Sequence, residues 1–280
     1  MNRSALKIVN GQPATDGAGV ELVRVIGQHA LAELDPFLLL DAFRSDDPDD
    51  YIAGFPPHPH RGFETVTYIL NGRMRHKDNA GNEGVIEPGG IQWMTAGRGI
   101  VHSEMPEQQD GLLEGFQLWI NLPGAHKMSA PTYQEHGADE IPHESRPGAI
   151  IKVIAGQTSA GTCGPVSQPL TNPLYLDVTL EASADFSEPV DAGHNAFVYV
   201  INGELELDAA AGGAARVGRD QLAVLGPGDS LVVSATHSAA RFLLVAGKPL
   251  GEPVARGGPF VMNTQEELMQ AFADYQTGKF

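Results

Sequence analysis

Two short pairs of ligand-type side chains stand out along the chain, His58-Pro59-His60 and His102-Ser103-Glu104. Residues two apart on a strand project to the same face, so each pair can aim both side chains at one point. Brought together on neighbouring strands, the pairs offer three imidazoles and a carboxylate to one centre, with one or two positions left for water or substrate. That donor set suits a borderline divalent ion such as Fe(II), Mn(II), Ni(II) or Zn(II), and it fits Ca²⁺ and Mg²⁺ poorly. Glu64 shares the parity of His58 and His60 and is a further carboxylate in this stretch. A lone His-x-His is common at surfaces and among satisfied core polar groups. The weight here comes from the second pair and from the turns between them.

The elements that must position these residues read as short strands. Val20 to Ile26, Leu38 to Phe43, Thr65 to Leu70 and Gly115 to Leu122 are apolar or β-branched runs of strand length. Asn71-Gly72 is a strong hairpin turn, and Pro123-Gly124 stops the fourth run. Thirty-three Gly and 20 Pro suit a fold of many turns rather than a helical bundle. Only the last segment reads as helix. Thr264-Gln-Glu-Glu267 has capping-box spacing, and Leu268, Phe272 and Tyr275 follow at i, i+4 and i+7.

An internal repeat divides the chain. Tyr68-Ile-Leu-Asn-Gly72 recurs as Tyr199-Val-Ile-Asn-Gly203, and each copy is followed by a Pro-Gly turn (Pro88-Gly89, Pro227-Gly228), a strand and a histidine, His102 or His237. The polar stretch from Pro123 to Pro147 is the natural crossover. The expected fold is all-β: two tandem barrels and a short C-terminal helix. Residues 1–130 form an N-terminal metal-binding barrel, and 131–280 a C-terminal barrel that ends in the helix. In the second copy Pro189, Asp191 and Asn195 stand where the first has His58, His60 and Glu64, so no metal site is expected there.

Composition narrows the function classes. Eighteen basic against 35 acidic residues give a net charge of −17, which repels phosphate backbones and anionic lipid surfaces. Direct nucleic-acid or membrane binding is therefore not expected. No stretch approaches the roughly 18 apolar residues of a membrane span, and the N-terminus lacks a secretion signal, so the cytoplasm is the default compartment. The single cysteine, Cys163, forms no intrachain disulfide and reads as a loop residue.

Two longer motifs carry a family resemblance. Gly54-Phe-Pro-Pro-His-Pro-His-Arg-Gly-Phe-Glu-Thr-Val-Thr-Tyr68 and Gln92-Trp-Met-Thr-Ala-Gly-Arg-Gly-Ile-Val-His-Ser-Glu-Met105 resemble the two motifs of the pirins, of the cupin superfamily. The resemblance extends through Leu118–Leu122 and Gly258–Thr264, nearly the whole chain. It implies a bicupin of two double-stranded β-helix, jelly-roll-like barrels, with one iron held by His58, His60, His102 and Glu104. In cupins generally a Glu at the position of Glu64 is a ligand, whereas in pirins the carboxylate lies two residues past the third His. Glu104 therefore takes that place, and Glu64 is read as orienting a ligand histidine or pairing with Arg61 or Arg98. The resemblance also implies oxidative opening of a flavonol such as quercetin with release of carbon monoxide, Glu104 accepting the flavonol hydroxyl proton. Phe55, Phe63, Trp93 and Met94 are candidates to line the cavity. The competing implication is a non-enzymatic, iron-dependent regulator that binds a transcription factor or metabolic enzyme.

Overall fold

The apolar runs form strands whose alternating side chains have an inner and an outer face. In the computed structural model, which describes residues 1–280, the four runs lie in the strands Val20–Ile26, Phe37–Ser45, Phe63–Asn71 and Leu113–Asn121. The chain is nearly all β and divides into two compact units.

The unit that carries the paired histidines comprises residues 12–28, 36–138 and 250–280. Its larger sheet has seven strands in the order Thr132–His136, Ile91–Thr95, Phe63–Asn71, Leu113–Asn121, Phe37–Ser45, Val20–Ile26 and Gln12–Asp16. A second sheet of four runs Phe55–His60, Ile100–Pro106, Met74–Asp78 and Glu83–Ile86. All the pairings are antiparallel. Asn71-Gly72 makes the expected turn, with Gly72 at φ +78°, but the strands it joins, Phe63–Asn71 and Met74–Asp78, lie in different sheets and do not pair, so it is a corner between the sheets rather than a hairpin.

The other unit, residues 1–11, 29–35 and 139–249, repeats this plan. Its seven-stranded sheet is centred on Asn195–Asn202 and Ala240–Gly247, its four-stranded sheet on Ser230–Ala235 and Glu204–Asp208. Leu176, Val198, Phe242 and Leu244, all fully buried, belong to its core.

The ends of the chain depart from the expected linear division at residue 130. The edge place that Thr132–His136 fills in the histidine-bearing unit is filled in the other by Ala5–Asn10, which pairs with Gln221–Leu225. The N-terminal segment therefore completes the sheet of the later-encoded unit. At the other end, Val261 N–H donates to Arg61 O at 3.0 Å, and Phe260 is buried with Leu268 and Ala271, so the C-terminal helix belongs to the histidine-bearing unit. A sheet edge takes whichever strand satisfies its exposed backbone groups, whatever the chain order.

That helix, Gln265–Gln276, starts at the capping box predicted for it: Thr264 Oγ1 accepts from Glu267 N–H, and Glu267 reaches back to the Thr264 N–H. No helix is long and apolar enough to cross a membrane.

Candidate metal centre

The paired histidines meet because their strands are neighbours. Phe55–His60 lies antiparallel to Ile100–Pro106, with His58 opposite His102, and the register slips between His102 and Glu104. Along the second strand Ile100, His102 and Glu104 are buried while Val101 and Ser103 are partly exposed, the two-residue alternation expected of a barrel wall. The ligand atoms of His58, His60 and His102 all lie within 4.8 Å of one another.

Hydrogen bonding fixes which nitrogens face the centre. His58 Nδ1 lies 2.8 Å from Pro56 O and His60 Nδ1 lies 3.4 Å from Pro259 O. A carbonyl oxygen only accepts, so both rings carry their proton on Nδ1 and present Nε2 as a lone pair. Those two Nε2 atoms are 3.1 Å apart. His102 Nε2 is buried and has no hydrogen-bond partner. Unpaired buried nitrogens are rare in folded proteins, and three converging lone pairs are what a cation needs. The residues fit a divalent metal. Burial, with repulsion from the neighbouring imidazoles, holds the His60 and His102 rings well below the usual histidine range, so both stay neutral and able to bind a cation.

Glu104 is brought to the same wall but stands outside the cluster of three imidazoles. It is 2% exposed; its Oε1 lies 2.6 Å from Thr67 Oγ1 and its Oε2 accepts from Gln117 Nε2 at 2.9 Å. Glu64 behaves differently. It is fully buried, and its Oε1 accepts from Thr95 Oγ1 at 2.6 Å. The far nitrogens of the three histidines are taken by Pro56 O, Pro259 O and His76, so Glu64 does not orient them. Arg61 pairs with Asp274 at 2.8 Å and donates to Arg98 O. Parity across His60 to Glu64 fails because the chain leaves the smaller sheet for the larger at Arg61-Gly62. Gly62 has φ +87°, and a Cβ there would lie 1.9 Å from Val261 O, so only glycine makes this corner.

Beside the imidazoles opens a cavity of about 610 Å³. Phe55, Gln117, Trp119 and Arg256 line it together with His58, His60 and Glu104, so of the four residues expected at the cavity only Phe55 is among its lining. Phe63 instead packs its ring against Trp119 (4.3 Å between centroids) and His60, Trp93 is buried, and Met94 packs with Ala96 and Ile100. The Arg256 guanidinium sits 4.8 Å above the Trp119 ring and donates to Leu38 O. Arg24 and Asp41, joined by two hydrogen bonds of 2.9 and 2.7 Å, also line the cavity. Trp119 was visible in the sequence as a member of an apolar strand; nothing local marked Arg256 as its neighbour. His76 and Asp78, which the ligand-pair reading does not include, carry the same two-residue spacing in His76-Lys77-Asp78.

In the other unit, Pro189 ends the strand Asp185–Pro189 and the Asp191 side chain accepts from Gly193 N–H. His194 lies 4.0 Å from Asp191, and His237 is exposed.

Comparison with known proteins agrees with this architecture. The pirin family model matches residues 19–120, and the model of the pirin C-terminal cupin domain matches 175–280. A pirin-like protein of Caulobacter vibrioides is 55% identical over 99% of both chains. A protein of Pseudomonas aeruginosa whose name carries quercetin 2,3-dioxygenase as a provisional activity is 46% identical, over 99% of this chain and 97% of that one. The crystal structure of a quercetin 2,3-dioxygenase from Acinetobacter baumannii superposes with a TM-score of 0.90 at 32% identity, covering 100% of this chain and 99% of the other. With both cupin domains matched and relatives aligned end to end, the chain belongs to the pirin family of the cupin superfamily.

Proposed function

We propose that this pirin is a metal-dependent dioxygenase of quercetin-like flavonols, using one divalent ion, Fe(II), held by His58, His60, His102 and Glu104. The observation that carries the reading is the convergence of the imidazole nitrogens of His58, His60 and His102 beside a cavity of about 610 Å³ that His58 and His60 line. The likeness to the Acinetobacter baumannii enzyme supports the substrate class. A bound metal would supply Lewis acidity toward a phenolic hydroxyl and a centre for the chemistry with dioxygen.

The protein's own groups do the rest. The aromatic faces of Phe55 and Trp119 hold a planar ring system in the cavity. Glu104 presents a carboxylate at the cavity wall and accepts the proton of the flavonol hydroxyl. Thr67 and Gln117, each bonded to one Glu104 oxygen, set the carboxylate's orientation while it does so. Dioxygen is the oxidant, and one ring carbon leaves as carbon monoxide.

The test is oxygen uptake by anaerobically purified, iron-loaded protein given quercetin, with carbon monoxide and the ring-opened product measured together. Stoichiometric consumption supports the reading. Loaded protein that consumes no oxygen and gives no ring-opened product defeats it.

A further inference from the structure

Two buried residues beside the three imidazoles have no part in the chemistry above. His76 is fully buried and Asp78 is 7% exposed. Both lie on the strand Met74–Asp78, antiparallel to the His102 strand, with Asp78 opposite His102 and His76 opposite Glu104. His102 Nδ1 and His76 Nδ1 are 3.3 Å apart, and His76 Nε2 is 3.2 Å from Asp78 Oδ2. Tyr133 packs against the His76 ring, 5.0 Å between centroids and tilted by 37°.

The direction of this chain follows from Asp78. Its Oδ1 accepts from the backbone N–H groups of Ala80 and Asn82, each at 2.9 Å, and its Oδ2 accepts from Asn82 Nδ2 at 2.8 Å. Every neighbour of the carboxylate is a donor, so His76 Nε2 must donate to it as well. A neutral His76 is then left with a lone pair on Nδ1. That lone pair can only accept, so His102 carries its proton on Nδ1 and is bare at Nε2, the buried nitrogen without a partner. Each proton in the row is set by the one before it, starting from the loop 78–82.

We propose that His76 and Asp78 are positioning residues for the metal centre: the row Asp78–His76–His102 locks the tautomer of His102 and holds its Nε2 lone pair toward the imidazoles of His58 and His60. The proposal rests on the metal reading above only in taking His102 as a ligand. Such outer partners raise ligand basicity and fix ring orientation, and their loss typically weakens metal binding 10- to 100-fold.

Asp78→Asn keeps the shape of the side chain and reverses the row. The amide oxygen is retained by the Ala80 and Asn82 backbone N–H groups, which turns Nδ2 toward His76 and toward the Asn82 side chain, whose amide turns over to offer its oxygen in place of Nδ2. His76 Nε2 must then accept, its Nδ1 must donate to His102, and the His102 proton moves to Nε2, where it blocks the ligand position. The ring tautomers are read by long-range ¹H–¹⁵N correlation on the metal-free full chain, and Ni(II) affinity by competition with a chromogenic chelator. The parent should show His102 protonated on Nδ1. Asp78→Asn should show it on Nε2, with Ni(II) bound about 10- to 100-fold more weakly and the melting temperature of the metal-free protein retained. In His76→Gln the side-chain oxygen can still accept from His102 Nδ1, so affinity should stay within a few-fold of the parent, whereas His76→Phe should lose it. A parent His102 protonated on Nε2, or an Asp78→Asn variant with unchanged tautomer or unchanged affinity, overturns the proposal. A parent that binds no Ni(II) would sink the metal reading instead, and the tautomer spectra alone would then decide whether the row exists.

Discussion

His58 Nε2 and His60 Nε2 face each other at 3.1 Å, and each ring has its other nitrogen turned to a backbone carbonyl. Two lone pairs at that separation repel unless a cation lies between them. With His102 Nε2 adjoining, the repulsion is a reservoir that metal binding releases. Replacing one ring by alanine removes a ligand and relieves the repulsion together. His58→Ala and His102→Ala should each lower bound metal from about one ion per chain to nearly none, while metal-free His58→Ala, whose replaced ring is only partly buried, should melt near the parent temperature. Metal analysis of protein purified in parallel checks the first part, calorimetry the second. Full occupancy in both variants would show that the ligands lie elsewhere.

The same burial makes the metal-free protein sensitive to acid. His60 and His102 titrate well below the usual histidine range in the fold, first because burial disfavours the charged ring and then because neighbouring imidazoles repel it. In the unfolded chain both return to about 6.5. As pH falls through that value the unfolded state takes up protons that the folded state refuses, so stability is complete above it and declines below. Each ring contributes at most about 1.4 kcal/mol per pH unit to the slope. Urea denaturation of metal-free protein between pH 7.5 and 5.5 should show the midpoint falling with pH. His60→Gln/His102→Gln should flatten the trend; an equal slope in that variant would place the titration in other groups.

How much of this was legible in the sequence depends on range. The strands and the Asn71-Gly72 turn were readable because two-residue alternation and turn chemistry are local. The three histidines were readable because each pair lies within one strand. The parity that Glu64 shares with His58 and His60 does not carry through Arg61-Gly62, where the chain changes sheets, and only the carbonyl of Val261 reveals why glycine stands there. The exchange of chain ends had no local signature: Ala5–Asn10 reads as a short strand wherever it pairs, and its partner Gln221–Leu225 lies far along the chain. Arg256 over Trp119 is a contact of the same kind, between residues that carry no mark of each other.

Glu104 separates proton transfer from binding. If its carboxylate takes the flavonol proton, Glu104→Gln should lower kcat with quercetin by about 10²- to 10⁴-fold, the usual yield of a positioned base. The amide can still meet Thr67 and Gln117, so the wall of the cavity is preserved and KM should change little. Steady-state oxygen uptake at several quercetin concentrations checks both constants. Because Glu104 is also the proposed fourth ligand, metal content must be measured on the same sample. A variant that keeps its metal and its kcat would remove Glu104 from the chemistry.

Lys127 supports the site from behind. It is 1% exposed, and its ammonium donates to Gly62 O at 2.7 Å, Asn121 Oδ1 at 2.6 Å and Val261 O at 3.1 Å. These acceptors join the Gly62 corner, one residue past His60-Arg61, to the C-terminal segment that supplies Pro259 O to His60. Burial lowers the lysine to about 8, so at neutral pH it is still charged and all three bonds are made. Lys127→Met fills the same space but leaves three buried acceptors without their donor, and an orphaned buried polar group costs roughly 1–3 kcal/mol. Urea denaturation should record a loss of at least that order. The variant should also weaken Ni(II) binding, since the Gly62 corner and the Pro259 carbonyl both lose an anchor. A Lys127→Met protein as stable as the parent, with unchanged affinity, would mean that the corner is held by the 3.0 Å bond from Val261 N–H to Arg61 O without help from the lysine.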